Sequence, residues 1–436
     1  MLPAVPDDDL LVMNVPQGAA LSIGAVLGTG VIALPALAAQ TAGPASLIAW
    51  AVLVALSVPL AATFAALGAR YPDAGGVATY ARNAFGHRAA AVVGWSFYFA
   101  VPVGAPAAAL FGGEYVAAAL GGGTRTALLT AAGLMLAVTA GNLGGVRVSG
   151  KLQLGLAALL VTLLLTATLT ALPHARAASL HPFAPHGWWA IGPAAAVLVW
   201  GFAGWEAVTS LAADFRRPQR DLPRATGIAL VVVAVLYLGI AAASILVLGP
   251  AISTTNAPLA ELLAIGVGGQ VRTIAAGAAL LLTLGTMNAY YAGAAKLGAA
   301  LGRDGALPAW FGRGAAPGSV PRRSLLVVAL LGAVSLTVVT ATGTGTKALV
   351  LLTSGCFVLV YLMGSAAAIK LLPRRTLARW CAVVALASSI GLMLVTGWYV
   401  LGTLVIAAGA LVYAGRRRPE KNPAENSGRA VDSVPA

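Results

Sequence analysis

Charge is what this sequence has least of. Asp, Glu, Lys and Arg make up 9% of its 436 residues, while 59% are hydrophobic. An ordinary soluble domain carries roughly 25% charged residues. A water-facing skin cannot be assembled from what is present, so most of the surface must face lipid. Cysteine is nearly absent too. Cys356 and Cys381 both fall inside apolar runs, which excludes a disulfide framework or a cysteine metal site and leaves two small buried hydrophobes. The ten-residue alternations of a membrane β-barrel are missing. The first seventeen residues hold no Lys or Arg but include Asp7, Asp8 and Asp9, so they do not read as a secretory signal. A net charge of +14 would point to nucleic acid in a soluble protein. Here the basic residues sit in short loops without interleaved stacking aromatics, and no nucleic-acid partner is expected.

What is present is a series of long apolar runs. About 20 such residues cross a hydrocarbon core about 30 Å thick. Reading between polar, Pro and Gly breaks predicts about twelve transmembrane helices, an all-α membrane protein. The spans are 18–40, 44–68, 89–120, 125–142, 151–172, 190–213, 225–248, 271–300, 324–342, 346–371, 377–396 and 398–415. Arg125, Arg176, Arg272 and Lys347 fall on one side of this arrangement, and every other Lys and Arg falls on the opposite side. Basic loops stay cytoplasmic. Both termini are therefore expected inside the cell membrane: a cytoplasmic N-terminal segment, 1–17, and a polar, disordered tail, 416–436.

Two spans carry glycines near their middle. The first reads Ile23-Gly24-Ala25-Val26-Leu27-Gly28-Thr29-Gly30-Val31, followed by Pro35; the sixth reads Trp200-Gly201-Phe202-Ala203-Gly204-Trp205-Glu206. Gly weakens a helix by roughly 1 kcal/mol relative to Ala, and unwinding is tolerated where the freed backbone faces a cavity. Close helix packing is the competing reading, since Gly24 and Gly28 fit a small-xxx-small pattern. The pairing favours unwinding, because interrupted spans at matching places in two halves point to a transporter site. The halves also read as inverted. The long 70–88 connection lies inside, and its counterpart, 249–270, lies outside. Repeat one covers about 18–172 and repeat two about 190–371, with helices eleven and twelve at about 377–415. A half-helix N-terminus after Gly30 would face an anion such as a carboxylate. Carbonyls from Gly201 to Gly204 would accept from an ammonium group. Bare glycine backbone lets a ligand approach this closely.

These residues resemble the amino acid–polyamine–organocation (APC) superfamily. Gly24 to Ile32 looks like its first-span signature, and Tyr71-Pro72-Asp73-Ala74-Gly75-Gly76 with Tyr80 and Phe85-Gly86 like its two–three loop. Gly145 to Gln153, Gly204-Trp205-Glu206 with Asp214 to Ala225, and Arg303-Asp304-Gly305-Ala306-Leu307-Pro308 are similar to its later motifs, in order. The resemblance covers about 17–415 and implies a five-plus-five inverted repeat, the LeuT-like APC fold, with two extra C-terminal helices and alternating access. Leu27 to Ala38 and Val101 to Ala107 are similar to the branch of bacterial L-methionine and branched-chain amino-acid exporters. That branch implies efflux of a neutral, apolar amino acid coupled to a cation gradient; an importer or exchanger of the same fold is the alternative. By the same resemblance Trp200 is an aromatic gate over substrate and Phe202 a ligand contact. The expected substrate site is Ile23, Gly24, Gly28, Thr29, Gly30, Trp200, Gly201, Phe202 and Gly204.

Acidic residues inside spans are functional hypotheses by default. Glu206 has two readings, a coupling proton carrier or an acceptor for unwound backbone. Glu114, near the outer end of span three, reads as a paired or snorkelling residue. The lysine that some superfamily members carry within span five is absent from 154–172, where Leu160 falls near its place. The coupling ion is H+ or Na+, with Thr283 and Thr286 available to sodium by loose analogy. No cofactor or metal is expected, and nothing fixes an oligomeric state. A membrane enzyme would need clustered catalytic groups within spans, but His87, His174, His181 and His186 all fall in loops. A channel would need a filter motif, and none appears.

Overall fold

The computed structural model describes residues 13–72, 75–145, 150–206, 209, 212–268, 271–313 and 320–416. Asp7 to Asp9 and most of segment 1–17, Asp73 and Ala74, Val146 to Ser149, four positions between 207 and 211 at the end of span six, and the tail beyond Arg416 lie outside the described residues. The framework is helical. Among the described residues ten helices are long and apolar enough to cross a membrane, and two shorter apolar segments, Val15–Val26 and Trp188–Phe202, belong to spans one and six.

The first set of spans begins with α1 (Val15–Val26) and α2 (Leu34–Ala42), two halves separated by a 3-10 turn at Thr29–Ile32. It continues with α3 (Ser46–Arg70), the short α4 (Gly76–Phe85), α5 (His87–Leu120), α6 (Thr124–Leu143) and α7 (Gly150–Ala171). The second set repeats the order. A short α8 (Ile191–Phe202) ends at a break, and α9 (Pro218–Leu248), the short α10 (Pro258–Gly266), α11 (Val271–Arg303), α12 (Arg322–Thr342) and α13 (Thr346–Leu371) follow. The lengths correspond: α5 and α11 have 34 and 33 residues, and α4 and α10 have 10 and 9. Five spans is an odd number, so the second set enters from the opposite face and the repeat is inverted. Two further helices, α14 (Leu377–Val395) and α15 (Val400–Arg416), complete the fold.

Local chemistry sets the ends of these elements. Asn14 and Gln17 close a reciprocal capping box on α1, satisfying two N–H groups that a helix start leaves unpaired. Gly121 ends α5 in the left-handed region, where a side chain would be strained. The sequence expects span seven to begin at 225, but α9 starts at Pro218. Pro is suited to a first helical turn, and Arg220 and Arg224, two of the arginines that suggested a loop, ride on the first turns of that helix.

Helices α5 and α11 pack along each other at the centre, with α13 beside them. Small residues permit this approach. A Cβ at Gly113 of α5 would lie 3.0 Å from a backbone carbon of Ala127 on α6. Helices α14 and α15 lie at the margin, where Leu377, Leu394 and Val405 are exposed to what is hydrocarbon in a membrane. Exposed Trp188, Trp189 and Trp398 cluster at one end of the bundle and Trp310 and Trp380 at the other, as aromatic belts do at the two interfaces.

One contact joins the outset of span one to the end of span six. Met13 N donates to Asp214 O at 2.9 Å, and Met13 and Phe215 form a parallel β-bridge. The Phe215 ring lies over Gly18. Around it Met13, Ala19, Ala212, Phe215, Leu222 and Ala225 make a small buried cluster apart from the main core.

Candidate functional site

The first break begins where α1 runs out. Leu27 N still bonds Ile23 O at 2.8 Å, and then Gly28, with φ −34° and ψ −170°, leaves the helix. The 3-10 turn follows, and α2 starts at Leu34 with Pro35 in its first turn. The expected half-helix N-terminus after Gly30 is therefore divided between a tight turn at Thr29 and the α-helix proper, five residues later.

The second break follows Phe202. Gly204 has φ +132°, a value L side chains rarely adopt. A Cβ there would also sit 2.7 Å from Ala25 O and 3.0 Å from Val26 Cα. The same proximity recurs along the crossing. A Cβ at Gly201 would lie 2.6 Å from Leu34 Cδ1, and one at Gly30 would lie 2.9 Å from Trp200 Nε1. Each break thus presses bare backbone against the other.

Tyrosines from other spans supply the partners the breaks lack. The Tyr237 hydroxyl of α9 bonds Gly201 O and lies 3.0 Å from Val26 O. The Tyr361 hydroxyl of α13 lies 3.1 Å from Phe202 O and 2.9 Å from Glu206 Oε2. Gly204 N donates to the same carboxylate oxygen at 2.9 Å. Above the first break, Tyr115 of α5 donates to Ile32 O at 2.7 Å and accepts from Leu259 N of α10 at 3.2 Å. Of the carbonyls expected to be free, Gly201 O and Phe202 O are thus occupied. A hydroxyl carries one proton, so Tyr237 and Tyr361 each donate to one of their two acceptors at a time. These tyrosines escaped the sequence reading. Their signal was a phenol inside an apolar run, which needs a polar partner once buried.

Beside the crossing lies an opening bounded by α5, α8, α11 and α13. Ala100, Gly104, Trp200, Met287, Tyr290 and Phe357 are among its walls. The Trp200 indole fills a slot between two glycines: Gly30 faces its pyrrole edge, and a Cβ at Gly104 would lie 2.9 Å from its Cη2. Phe111 meets it edge-on at 6.2 Å. Trp200 is thus the wall between the first break and the opening.

The other expected site residues are placed differently. Ile23 and Gly24 lie in the last turns of α1, and a Cβ at Gly24 would come 3.2 Å from Ala157 Cβ on α7, a packing contact. Gly28 faces Thr286 of α11, 3.9 Å from where its Cβ would be, and Thr29 is buried. The Phe202 ring turns away from the opening, toward Trp50 at 6.0 Å and Tyr237 at 4.9 Å. Glu206 is 7% exposed. The ion pairs among the described residues, Arg82–Asp304 and Arg272–Glu261, are elsewhere. Glu114 accepts from Asn256 at 3.1 Å. Leu156 of α7 fills the space over Gly285 of α11, while the Thr283 hydroxyl is buried without a partner.

An interrupted, inverted twelve-span bundle of this kind is a transporter fold of the APC superfamily. Residues 14–417 match the model of a family described as amino acid permeases. The uncharacterized amino acid permease YecA of Bacillus subtilis is 35% identical over 401 residues, 91% of this chain and 94% of that protein. The L-methionine/branched-chain amino acid exporter YjeH of Escherichia coli is 32% identical over 418 residues, 94% of this chain and 97% of that protein. The branched-chain amino acid permease BcaP of B. subtilis is 26% identical over 240 residues, 51% of this chain and 52% of that protein. The chain belongs to the amino acid permease family and is a multi-pass membrane protein.

Replacing Tyr237 with Phe removes the donor to Gly201 O but keeps the ring that packs on Trp50 at 5.2 Å. Leaving a buried acceptor unmet costs about 1–3 kcal/mol. The thermal unfolding midpoint of Tyr237→Phe in detergent should fall accordingly. An unchanged midpoint would mean that the carbonyl has another donor.

Proposed function

We propose that this protein is a secondary active transporter that exports neutral, apolar amino acids, methionine or branched-chain, by alternating access coupled to a cation gradient. The observation that carries this reading is the apolar opening set against the crossed breaks of spans one and six. The amino and carboxylate groups lie across Trp200 from it, along the backbone of Gly28, Thr29 and Gly30 and of Trp200 and Gly204. The carboxylate takes the N–H groups at the start of the Thr29 turn, which precede any intrahelical donor position. The side chain enters the opening past Trp200, where Gly104, Met287 and Phe357 offer apolar surface. Two relatives are named for methionine and branched-chain or for branched-chain substrates. Export follows the relative named as an exporter. The functional unit comprises repeats at about 18–172 and 190–371 with helices at about 377–415.

Counterflow in proteoliposomes tests this reading. Methionine, leucine, isoleucine and valine should show saturable trans-stimulation, and lysine and glutamate should not; preference for a charged amino acid would refute it. Gly104→Val intrudes on Trp200 and the opening. It should reduce methionine and leucine transport relative to alanine by about tenfold or more, the scale of one or two methylenes in an apolar pocket.

Glu206 holds the second break as acceptor for Gly204 N and partner of Tyr361. An amide oxygen can still accept from Gly204 N. Glu206→Gln should therefore retain both counterflow and its response to a pH gradient. Retained counterflow with loss of the pH response would instead make the carboxyl the proton carrier.

Both termini face the cytoplasm in this reading, supported by the basic loops. In intact cells Ala177→Cys should react with a membrane-impermeant maleimide and Arg82→Cys should not. The reverse pattern would invert the topology.

A further inference from the structure

A second cavity lies on the other side of α8 from the opening described above. It lies between α3, α8, α13 and α14 and is partly open at its edge. Leu53, Ser57 and Leu60 form its α3 wall, and Ala385, Ser388 and Leu392 its α14 wall. Its floor is Val199, Phe202 and Tyr361. Ser57 and Ser388 are near the middle of their helices, so the cavity is near the middle of the bilayer.

The hydroxyls around it are already committed. Ser57 donates to Leu53 O at 2.9 Å, Ser388 to Val384 O at 2.7 Å, and Ser389 to Ala385 O at 2.8 Å. The Tyr361 hydroxyl serves Phe202 O and Glu206. No wall hydroxyl keeps a hydrogen for a guest. The hydroxyl oxygens remain only as acceptors, and leucines, Val199, Phe202 and Ala385 make up the rest of the lining. Its chemistry accepts an apolar guest.

The source of that guest is set by what the cavity opens on. Val58 of α3 and Val384 of α14, each 49% exposed, flank it on the lipid-facing surfaces of two spans. Leu56, Ser388 and Leu392 at its edge are half-buried. The cavity is continuous with the surface that the protein already shares with lipid. The short side chains of Ala385, Ser388 and Ser389 on α14 and Ser57 on α3 leave the space between the two helices unfilled.

We propose that this cavity is a binding site for the distal part of a membrane phospholipid's acyl chain, inserted between α3 and α14. Headgroup contacts are not involved at this depth. The guest rests on Phe202 and Tyr361, the residues that hold the second break from behind. Acyl packing is thereby joined to the segment that crosses span one.

The test uses the whole protein in liposomes containing a phospholipid with a diazirine near the end of one acyl chain. After photolysis, adducts are mapped by peptide mass spectrometry. Adducts are expected at Leu60, Val199 and Phe202 as well as at outward Val58 and Val384. Ala385→Phe fills the cavity and should reduce the deep adducts several-fold while leaving Val58 and Val384 labelled. Leu392→Ala widens it and should raise them. Should Ala385→Phe fail to fold, Ser388→Leu takes its place. Wild-type protein labelled only at outward residues would overturn the proposal, as would deep adducts that persist unchanged in the filled variant. This readout needs no transport, so its outcome is separate from that of the counterflow experiment.

Discussion

Within hydrocarbon there is no water to take up an open backbone group, and each one left unmet costs several kcal/mol. Everything at the centre of this protein depends on how that demand is answered where two helices stop. Helix geometry cannot answer it at Gly28 or at Ala203, because the intrahelical acceptors and donors are out of register there. Side chains from α5, α9 and α13 answer it instead, through Tyr115, Tyr237 and Tyr361, with the Glu206 carboxylate taking the Gly204 N–H. The breaks are therefore a property of the surrounding bundle as much as of the glycines. A glycine permits the chain to leave the helix; a tyrosine one span away allows it to remain so.

The glycines have a second effect, seen in the contacts between the breaks. Gly204 lies on the backbone of Ala25 and Val26, Gly201 on Leu34, and Gly30 on Trp200. Helix interruption and close packing look like competing explanations of a glycine pair in a sequence. Here the same residues do both, and Gly24, still helical, does only the packing. Phe202 and Trp200, two residues apart on α8, turn to opposite sides. Trp200 borders the opening among α5, α11 and α13, while Phe202 packs toward α3.

The spans were legible because a bilayer leaves little freedom: long apolar runs, glycine breaks and basic loops all mark them. The pairing of breaks in spans one and six was legible for the same reason. What escaped was what lies across space. Nothing near Gly201 in sequence announces that Tyr237, on the next span, will cap it, and nothing near Glu206 announces Tyr361. Phe202 was grouped with Trp200 because periodicity cannot be read where a helix is about to end. The beginning of α9 was placed too late because Arg216 to Arg224 look like a loop when hydropathy alone is followed. The opening itself has no signature, since Ala100, Met287 and Phe357 are ordinary packing residues until their helices face each other.

The β-bridge at Met13 gives this arrangement a mechanical consequence. The backbone just ahead of α1 is stitched to the backbone just after span six, and Phe215 is wedged against Gly18. Pulling the lower half of span one outward by itself would tear that stitch and expose the apolar cluster around Phe215. The start of α1 and the foot of α9 share this stitch through Asp214 and Phe215, so neither can part from the other without breaking it.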